Sequence, residues 1–246
     1  MSETTIRTPW SPLNDALDGG FRRGAVSVIA ARPSMGKSSM ALQIGTHHAA
    51  HDGGRWLWWF GQDSRTNTYH RILCQRSGVP VPEIRNRKGL DRLQEAAAWF
   101  AEADLSVEVT NKGTLKPEDL VSLAMETAEK FGGLDGVIVD TFDMLASRFP
   151  QSRADANAEA AAVLARLARD TGAAVLVTAN VTRGAIREDE CRPRLGYVYA
   201  PPLADVAAAV VSPFLDERAD TPHAPVFGGG NAELLFLKPE QQPVPL

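Results

Sequence analysis

Short apolar runs alternate along the chain with longer stretches in which apolar residues recur every three or four positions. The runs Ala25–Ala31, Arg55–Phe60, Leu105–Thr110, Gly136–Asp140 and Ala173–Ala179 are β-branched or aromatic and are bounded by turn residues, a pattern that predicts buried parallel strands. Between them, helical spacing covers Lys37–His51, Thr66–Ser77 (closed by Gly78 and Pro80), Leu90–Ala103, Pro117–Phe131 (proline in its first turn) and Ala154–Asp170. Strands alternating with helices predict an α/β fold: a mostly parallel, twisted sheet with helices on both faces. After Asn180 the pattern changes. A polar, arginine-bearing stretch runs to Arg194, and then come an AVV run at 209–211, a Pro/Gly-rich insert at 221–230 and the strand-like Ala232–Leu237. The AVV run and Ala232–Leu237 are expected to extend the sheet. The tail QQPVPL is expected not to continue a strand, because Pro243 and Pro245 remove donors.

At 246 residues the chain is long enough for one sizeable core, so a single domain over 1–246 is the expectation. With 44% apolar and 23% charged residues, the composition has none of the depletion that marks disorder. No apolar run reaches the roughly 18 residues of a membrane-spanning helix, and MSETTIRTPW lacks the order of a secretory signal. A cytoplasmic protein without a membrane partner is expected. Cys74 and Cys191 are too few for a disulfide framework and are not at zinc-ligand spacing. The net charge of −4 gives no general attraction to nucleic acid, so any such binding must use a local basic surface.

The segment AVSVIAARPSMGKSSMALQIG, residues 25–45, places an apolar strand, a loop ending in Gly36-Lys37-Ser38 and a helix in the order a phosphate-binding loop requires. Backbone N–H groups of the loop and first helical turn converge on phosphate oxygens at the positive end of the helix dipole. The expected loop comprises Ala31, Arg32, Pro33, Ser34, Met35, Gly36, Lys37, Ser38 and Ser39, with Ala31 standing where the first glycine is usual. Gly36 allows close backbone approach, Lys37 reaches the β and γ phosphates of ATP, and the Ser38 hydroxyl completes the shell of Mg²⁺.

Such a site needs an acid at the end of a neighbouring strand. GVIVD supplies Asp140 for the magnesium, the alternative being a capping or turn role. Asp63, in GQDS after the second strand, is either the residue that polarises the attacking water or the N-cap of the following helix. Asn180, just past the fifth strand, either senses a γ-phosphate or forms a turn.

These residues also carry a family resemblance. ARPSMGKSSMALQI resembles the phosphate-binding loop of the DnaB family of replicative helicases, whose motor is a RecA-like P-loop NTPase. Upstream, WSPLNDALDGGFRRGAVSVIAA is similar to the family's entry segment. Downstream, WWFGQDS lies where the family has a strand ending Phe-Ser-Leu-Glu, GVIVDTFDML resembles its second acidic motif, and VLVTANVTR its segment ending Ser-Gln-Leu-Asn-Arg. The resemblance runs from about Pro9 to Lys238 and is close only in the loop. It implies that Lys37, Asp63, Asp140 and Asn180 are the catalytic set, with Ser38 and Asp140 at the metal.

Three departures qualify it. Asp63 replaces the family's catalytic glutamate and Asn180 its sensing glutamine, each shorter by one methylene; either hydrolysis is slow or the two shortenings in one site compensate each other. The family's Lys-x-Arg element reads Lys238-Pro239-Glu240: the lysine that approaches a neighbouring subunit's phosphate survives, and the arginine finger does not. A finger contributes roughly 10³–10⁵ in rate in other phosphoryl-transfer systems, and Arg218 and Arg194 are substitutes without positional support. The family's N-terminal domain and linker helix are not recognisable, so a homo-oligomer, hexamer or filament, is not assured.

In RecA-like motors the loops after the acidic and sensor strands face the nucleic acid. Here they are Ala146–Asn157, with Arg148 and Arg153 around Phe149, and Val181–Tyr199, with Arg183, Arg187, Arg192, Arg194, Tyr197 and Tyr199. Arginines interleaved with aromatics suit the phosphates and bases of single-stranded DNA, and solvated surface loops are the alternative, since Asp155, Glu188, Asp189 and Glu190 offset the charge. The leading expectation is an ATP-hydrolysing helicase-like protein that couples nucleotide state to single-stranded DNA. A standalone RecA-like recombination or annealing ATPase and a catalytically weak, nucleotide-gated accessory module are the rivals. His47 and His51 are four apart but lack a third ligand, and Trp56, Trp58 and Trp59 are read mainly as packing.

Overall fold

The computed structural model describes residues 4–80, 83–84, 86, 88–103, 105–110, 115–147, 152–181, 193–198, 200–215, 232–238 and 240–245. Their core is an eight-stranded sheet. Its strands, in chain order, are β3 (Val26–Ala31), β4 (Trp56–Phe60), β5 (Val107–Thr110), β6 (Gly136–Asp140), β7 (Ala174–Asn180), β8 (Ala207–Leu215), β9 (Ala232–Lys238) and β10 (Glu240–Pro245). A separate two-stranded pair, β1 (Thr5–Ile6) and β2 (Phe21–Arg22), precedes them. Across the large sheet the order is β10-β9-β8-β3-β7-β6-β4-β5. Every pairing from β8 to β5 is parallel, and β9 and β10 add antiparallel. The mostly parallel α/β sheet expected from the sequence is therefore observed.

Alternation within the strands divides the core. From β3, Val26, Val28 and Ala30 point to one face, where Leu120 and Ala124 of α5 (Pro117–Phe131), Phe142 and Leu145 of α6 (Phe142–Ala146), Ala160 and Leu164 of α7 (Arg153–Thr171), and Leu203 of α8 (Pro201–Val206) pack. Ile29 points to the other, against Leu13 of α1 (Ser11–Ala16), Met40 and Ile44 of α2 (Lys37–His51) and Ile72 of α3 (Arg65–Ser77). On β4 the same alternation sends Trp59 to the first face and Trp56 and Trp58 to the second. All three tryptophans are fully buried, so packing accounts for each. The helix α4 (Leu90–Glu102) turns Phe100 toward the second face.

The C-terminal end departs from expectation. β8 runs for nine residues through Pro213, which sits beyond Val211, the last residue paired to β3, so the missing N–H removes no ladder bond on that side. The tail forms a strand, contrary to the sequence reading. β10 lies at the sheet edge, and its register slips between Gln241 and Val244, around Pro243. An outer strand bonds a neighbour on one side only, and prolines are tolerated there and at bulges.

Candidate functional site

β3 lies inside the sheet between β8 and β7, and from its last residue, Ala31, the chain passes through residues 32–35 into α2. Two backbone positions shape that turn. Ser34 has φ of 66° and Gly36, the residue before the helix, φ of 80°, both left-handed. A left-handed N-cap favours glycine, which explains why the Gly36-Lys37 step is needed here. The amide of Met40 then closes the first turn on the Gly36 carbonyl at 2.8 Å, leaving earlier N–H groups directed out of the helix end.

Lys37 is 7% exposed. Its Nζ donates to the carbonyls of Ala31 (3.0 Å) and Arg32 (2.9 Å), so two of its three donors hold the loop closed and the third remains for a ligand. Burial pushes the Lys37 pKa down, while the nearby negative charges of Asp140 and then Asp143 pull it back up. An ammonium this desolvated gains by meeting an anion.

Asp140 closes β6, two strands from β3 with β7 between them, and is 7% exposed. It accepts hydrogen bonds from the Thr178 hydroxyl on β7 and from the Ser38 hydroxyl on α2. Burial raises its pKa, and those two hydroxyls, Lys37 and Arg71 oppose the shift. The peptide bond from Asp140 to Thr141 is cis. The Asp140 carbonyl accepts from Gly61 N–H at 2.7 Å, tying β6 to the segment that carries Asp63.

Mg²⁺ takes hard oxygen ligands, usually one or two from protein with the rest from water and phosphate. A buried carboxylate already bonded to the Ser38 hydroxyl fits that demand. Among the described residues no group of three His, Cys, Asp or Glu side chains is placed to hold a metal by itself.

Asp63 lies on the loop after β4. It is not the N-cap of α3: Ser64 is, its side chain accepting from Asn67 N–H at 3.1 Å. Asp63 instead pairs with Arg71 of α3, Nε to Oδ2 at 2.9 Å. Asn180 ends β7 beside Ala31, its register partner on β3, and donates from Nδ2 to Asp143 Oδ2 at 2.8 Å. The structure thus brings Lys37, Ser38, Asp140 and Asn180 together at the C-terminal ends of adjacent parallel strands, where ligands of open sheets collect. Sequence reasoning missed Asp143, Thr178 and Arg71. Thr178 was findable, because it lies two residues before Asn180 and period 2 sends both to the same face of β7.

Of the arginines expected to face nucleic acid, Arg148, Arg183, Arg187 and Arg192 lie outside the described residues, as does Arg218. Arg153 opens α7. Arg194 is exposed, on extended backbone before a 3₁₀ turn at Leu195–Tyr197. The second loop leaves and returns through a bridge between Val181 and Val198, so its base is pinned next to Asn180. Lys238 donates to the carbonyls of Ala204 (2.9 Å) and Asp205 (3.2 Å) near the end of α8.

Comparison with known proteins shows the family and the fold. The family described as DnaB-like helicase C terminal domain matches residues 5–199. The replicative DNA helicase DnaB of Geobacillus stearothermophilus is 22% identical over 198 residues, 78% of this chain and 43% of that protein. That of Pasteurella multocida is 26% identical over 188 residues, 73% and 40% of the respective chains. The chain therefore spans less than half the length of these relatives. Among solved structures, one described as an ATPase domain superposes with a TM-score of 0.84 at 17% identity, covering 99% of this chain and 89% of that one. A DnaB-like replicative helicase, described with its interactions with primase, superposes at 0.82 and 18% identity, covering 96% and 57%. At such identity these two likenesses establish a common fold.

Proposed function

The chain belongs to the DnaB-like helicase C-terminal domain family, and from that premise we propose that it binds Mg·ATP at residues 31–39, hydrolyses it, and couples nucleotide state to single-stranded DNA. The observation that carries this reading is Lys37: a buried ammonium held by two loop carbonyls at the start of α2, with Ser38 bonded to the strand-end acid Asp140.

Each side chain has a defined task. The loop N–H groups and the third donor of Lys37 bind the β and γ phosphates. Ser38 and Asp140 would hold Mg²⁺, which would supply positive charge to offset that of the phosphates. Asp63 accepts the proton of a water that attacks the γ-phosphorus. The bond from that phosphorus to the bridging oxygen breaks, and ADP leaves with the electron pair. Asn180 places its amide beside the γ-phosphate and stands at the root of the 181–199 loop, so its position can change the arginine-bearing segment that follows.

The proteins it resembles are named as replicative helicases, and a cytoplasmic role on single-stranded DNA as a homo-oligomer is the corresponding proposal here. No helix among the described residues is long and apolar enough to cross a membrane.

Steady-state ATP hydrolysis with and without single-stranded DNA, at stated salt, tests the reading. Lys37→Ala is expected to lose nucleotide binding, and DNA is expected to stimulate wild-type turnover. Normal nucleotide affinity in Lys37→Ala counts against the site, and tight binding with turnover unmoved by DNA would make the nucleotide a switch for a protein partner.

A further inference from the structure

Helix α3 has its own attachment to the nucleotide loop. Gln75 Nε2 donates to the Ser39 carbonyl in the first turn of α2 at 2.8 Å, which fixes one face of α3 over that turn. Side chains four apart share a helix face, so Arg71 lies on the same face, one turn (about 5.4 Å) toward the N-terminus of α3. Its Nε holds Asp63 at 2.9 Å. Arg71 therefore holds the acid assigned to the water from a helix face that is itself bonded to the phosphate loop. The ion pair uses Nε, and a guanidinium carries four further N–H donors in a planar fork that suits phosphate.

Given the nucleotide-site reading above, we propose that Arg71 is the residue that distinguishes triphosphate from diphosphate: without a γ-phosphate it neutralises Asp63, and a bound γ-phosphate takes the guanidinium and releases Asp63 to orient water. The pair is suited to exchange. Arg71 and Asp63 side chains are 42% and 23% exposed, and ion pairs at that exposure are weak and screened. A γ-phosphate carries more charge than one carboxylate and would lie against the desolvated Lys37, so it competes for Arg71 effectively. ADP leaves the pair as it is.

The test compares affinities for Mg·ADP and for the Mg²⁺ complex of a non-hydrolysable ATP analogue in wild type, Arg71→Ala, Arg71→Lys, Asp63→Asn and Lys37→Ala. Arg71→Ala is expected to lose about ten-fold or more in affinity for the analogue, the scale of one charge-assisted hydrogen bond, and to keep ADP affinity within about two-fold. Arg71→Lys recovers part of the loss, and Asp63→Asn, which frees the guanidinium, binds the analogue at least as tightly as wild type. Equal losses for both nucleotides in Arg71→Ala, or an unchanged preference, overturn the role of Arg71 while leaving the site intact if Lys37→Ala has lost ADP. A wild-type protein that binds neither nucleotide better than Lys37→Ala overturns the site itself and this proposal with it.

Discussion

Thr178 on β7 donates its hydroxyl to Oδ1 of Asp140 on the neighbouring strand β6. Both residues are buried, and Ser38 supplies a second hydroxyl to the same carboxylate. The carboxylate is thereby fixed in orientation before any metal arrives. Partners of this kind typically change metal affinity by about 10–100-fold when removed. Thr178→Val keeps the side chain's shape and is expected to raise the Mg²⁺ concentration needed for nucleotide binding by about ten-fold or more. A Mg²⁺ titration against a fluorescent ATP analogue reads it, and an unchanged midpoint would reduce Thr178 to a packing residue.

Asn180 is oriented by charge. A carboxylate accepts and cannot donate, so Asp143 requires the NH₂ of Asn180 at 2.8 Å and turns its carbonyl oxygen elsewhere. Asn180→Asp puts two carboxylates at roughly that distance, where they cannot both ionise without cost. ATP turnover in Asn180→Asp is expected to fall by about ten-fold or more, the scale of a misplaced hydrogen-bonding group in such a site. The exchange Asp143→Asn with Asn180→Asp restores one donor and one acceptor and is expected to recover part of the rate. Failure of the double variant to exceed the single one would show that identity at position 180, rather than the pair, matters.

Local periodicity made the sheet legible, and it also set the limit. Val26–Ala31, Trp56–Phe60 and Gly136–Asp140 are buried on both faces, so each reads as a nearly continuous apolar run, broken only by Ser27 and the terminal Asp140. The tail was misread because a proline's missing donor matters only on the side that has a neighbour, and edge position is a property of the whole sheet. Within the site, Lys37, Ser38 and Asp140 were visible because a glycine-bearing loop and a strand-ending acid leave marks in sequence. Arg71 was not. Its pairing with Asp63 reaches from α3 back to the loop before it, and α3 is set against the phosphate loop by the bond from Gln75 to Ser39, which no spacing rule contains. Asp143 was hidden for the same reason, since its partner Asn180 is 37 residues away.

Gly136 faces the ring of Trp56, its register partner on β4. A Cβ on Gly136 would come within 2.3–2.5 Å of three ring atoms. The ring is fully buried, and its Nε1 donates to His48 Nδ1 at 3.1 Å, so it has no open direction to move. Gly136→Ala is expected to cost about 1–3 kcal/mol, the range for overpacking a core. At about 2–4 °C per kcal/mol for a chain of this size, thermal melting resolves the effect. Gly196→Ala, where nothing lies within 4 Å, should stay within about 0.5 kcal/mol of wild type.

Asp135, just before β6, anchors the opposite end of the sheet. Its Oδ1 accepts from Arg23 Nη2 at 2.5 Å, and its Oδ2 from Arg55 Nε and Arg55 backbone N–H, both at 2.8 Å. Burial alone would raise this carboxyl, but the Arg55 bonds and then those of Arg23 outweigh it and hold the pKa well below the ordinary 3.8. A carboxyl lowered on folding contributes stability that is complete above its unfolded value and is lost as pH falls toward its folded one. Asp135→Asn is therefore expected to be less stable than wild type by about 1–3 kcal/mol at neutral pH, toward the low side for a broken pair because both guanidinium groups retain some solvent. Urea unfolding from pH 7 down to pH 3 checks the sign: the gap should hold steady through the upper range and narrow once pH passes below 3.8. A gap that stays constant into acid would assign the loss to packing around β6 instead of to the ionised pair.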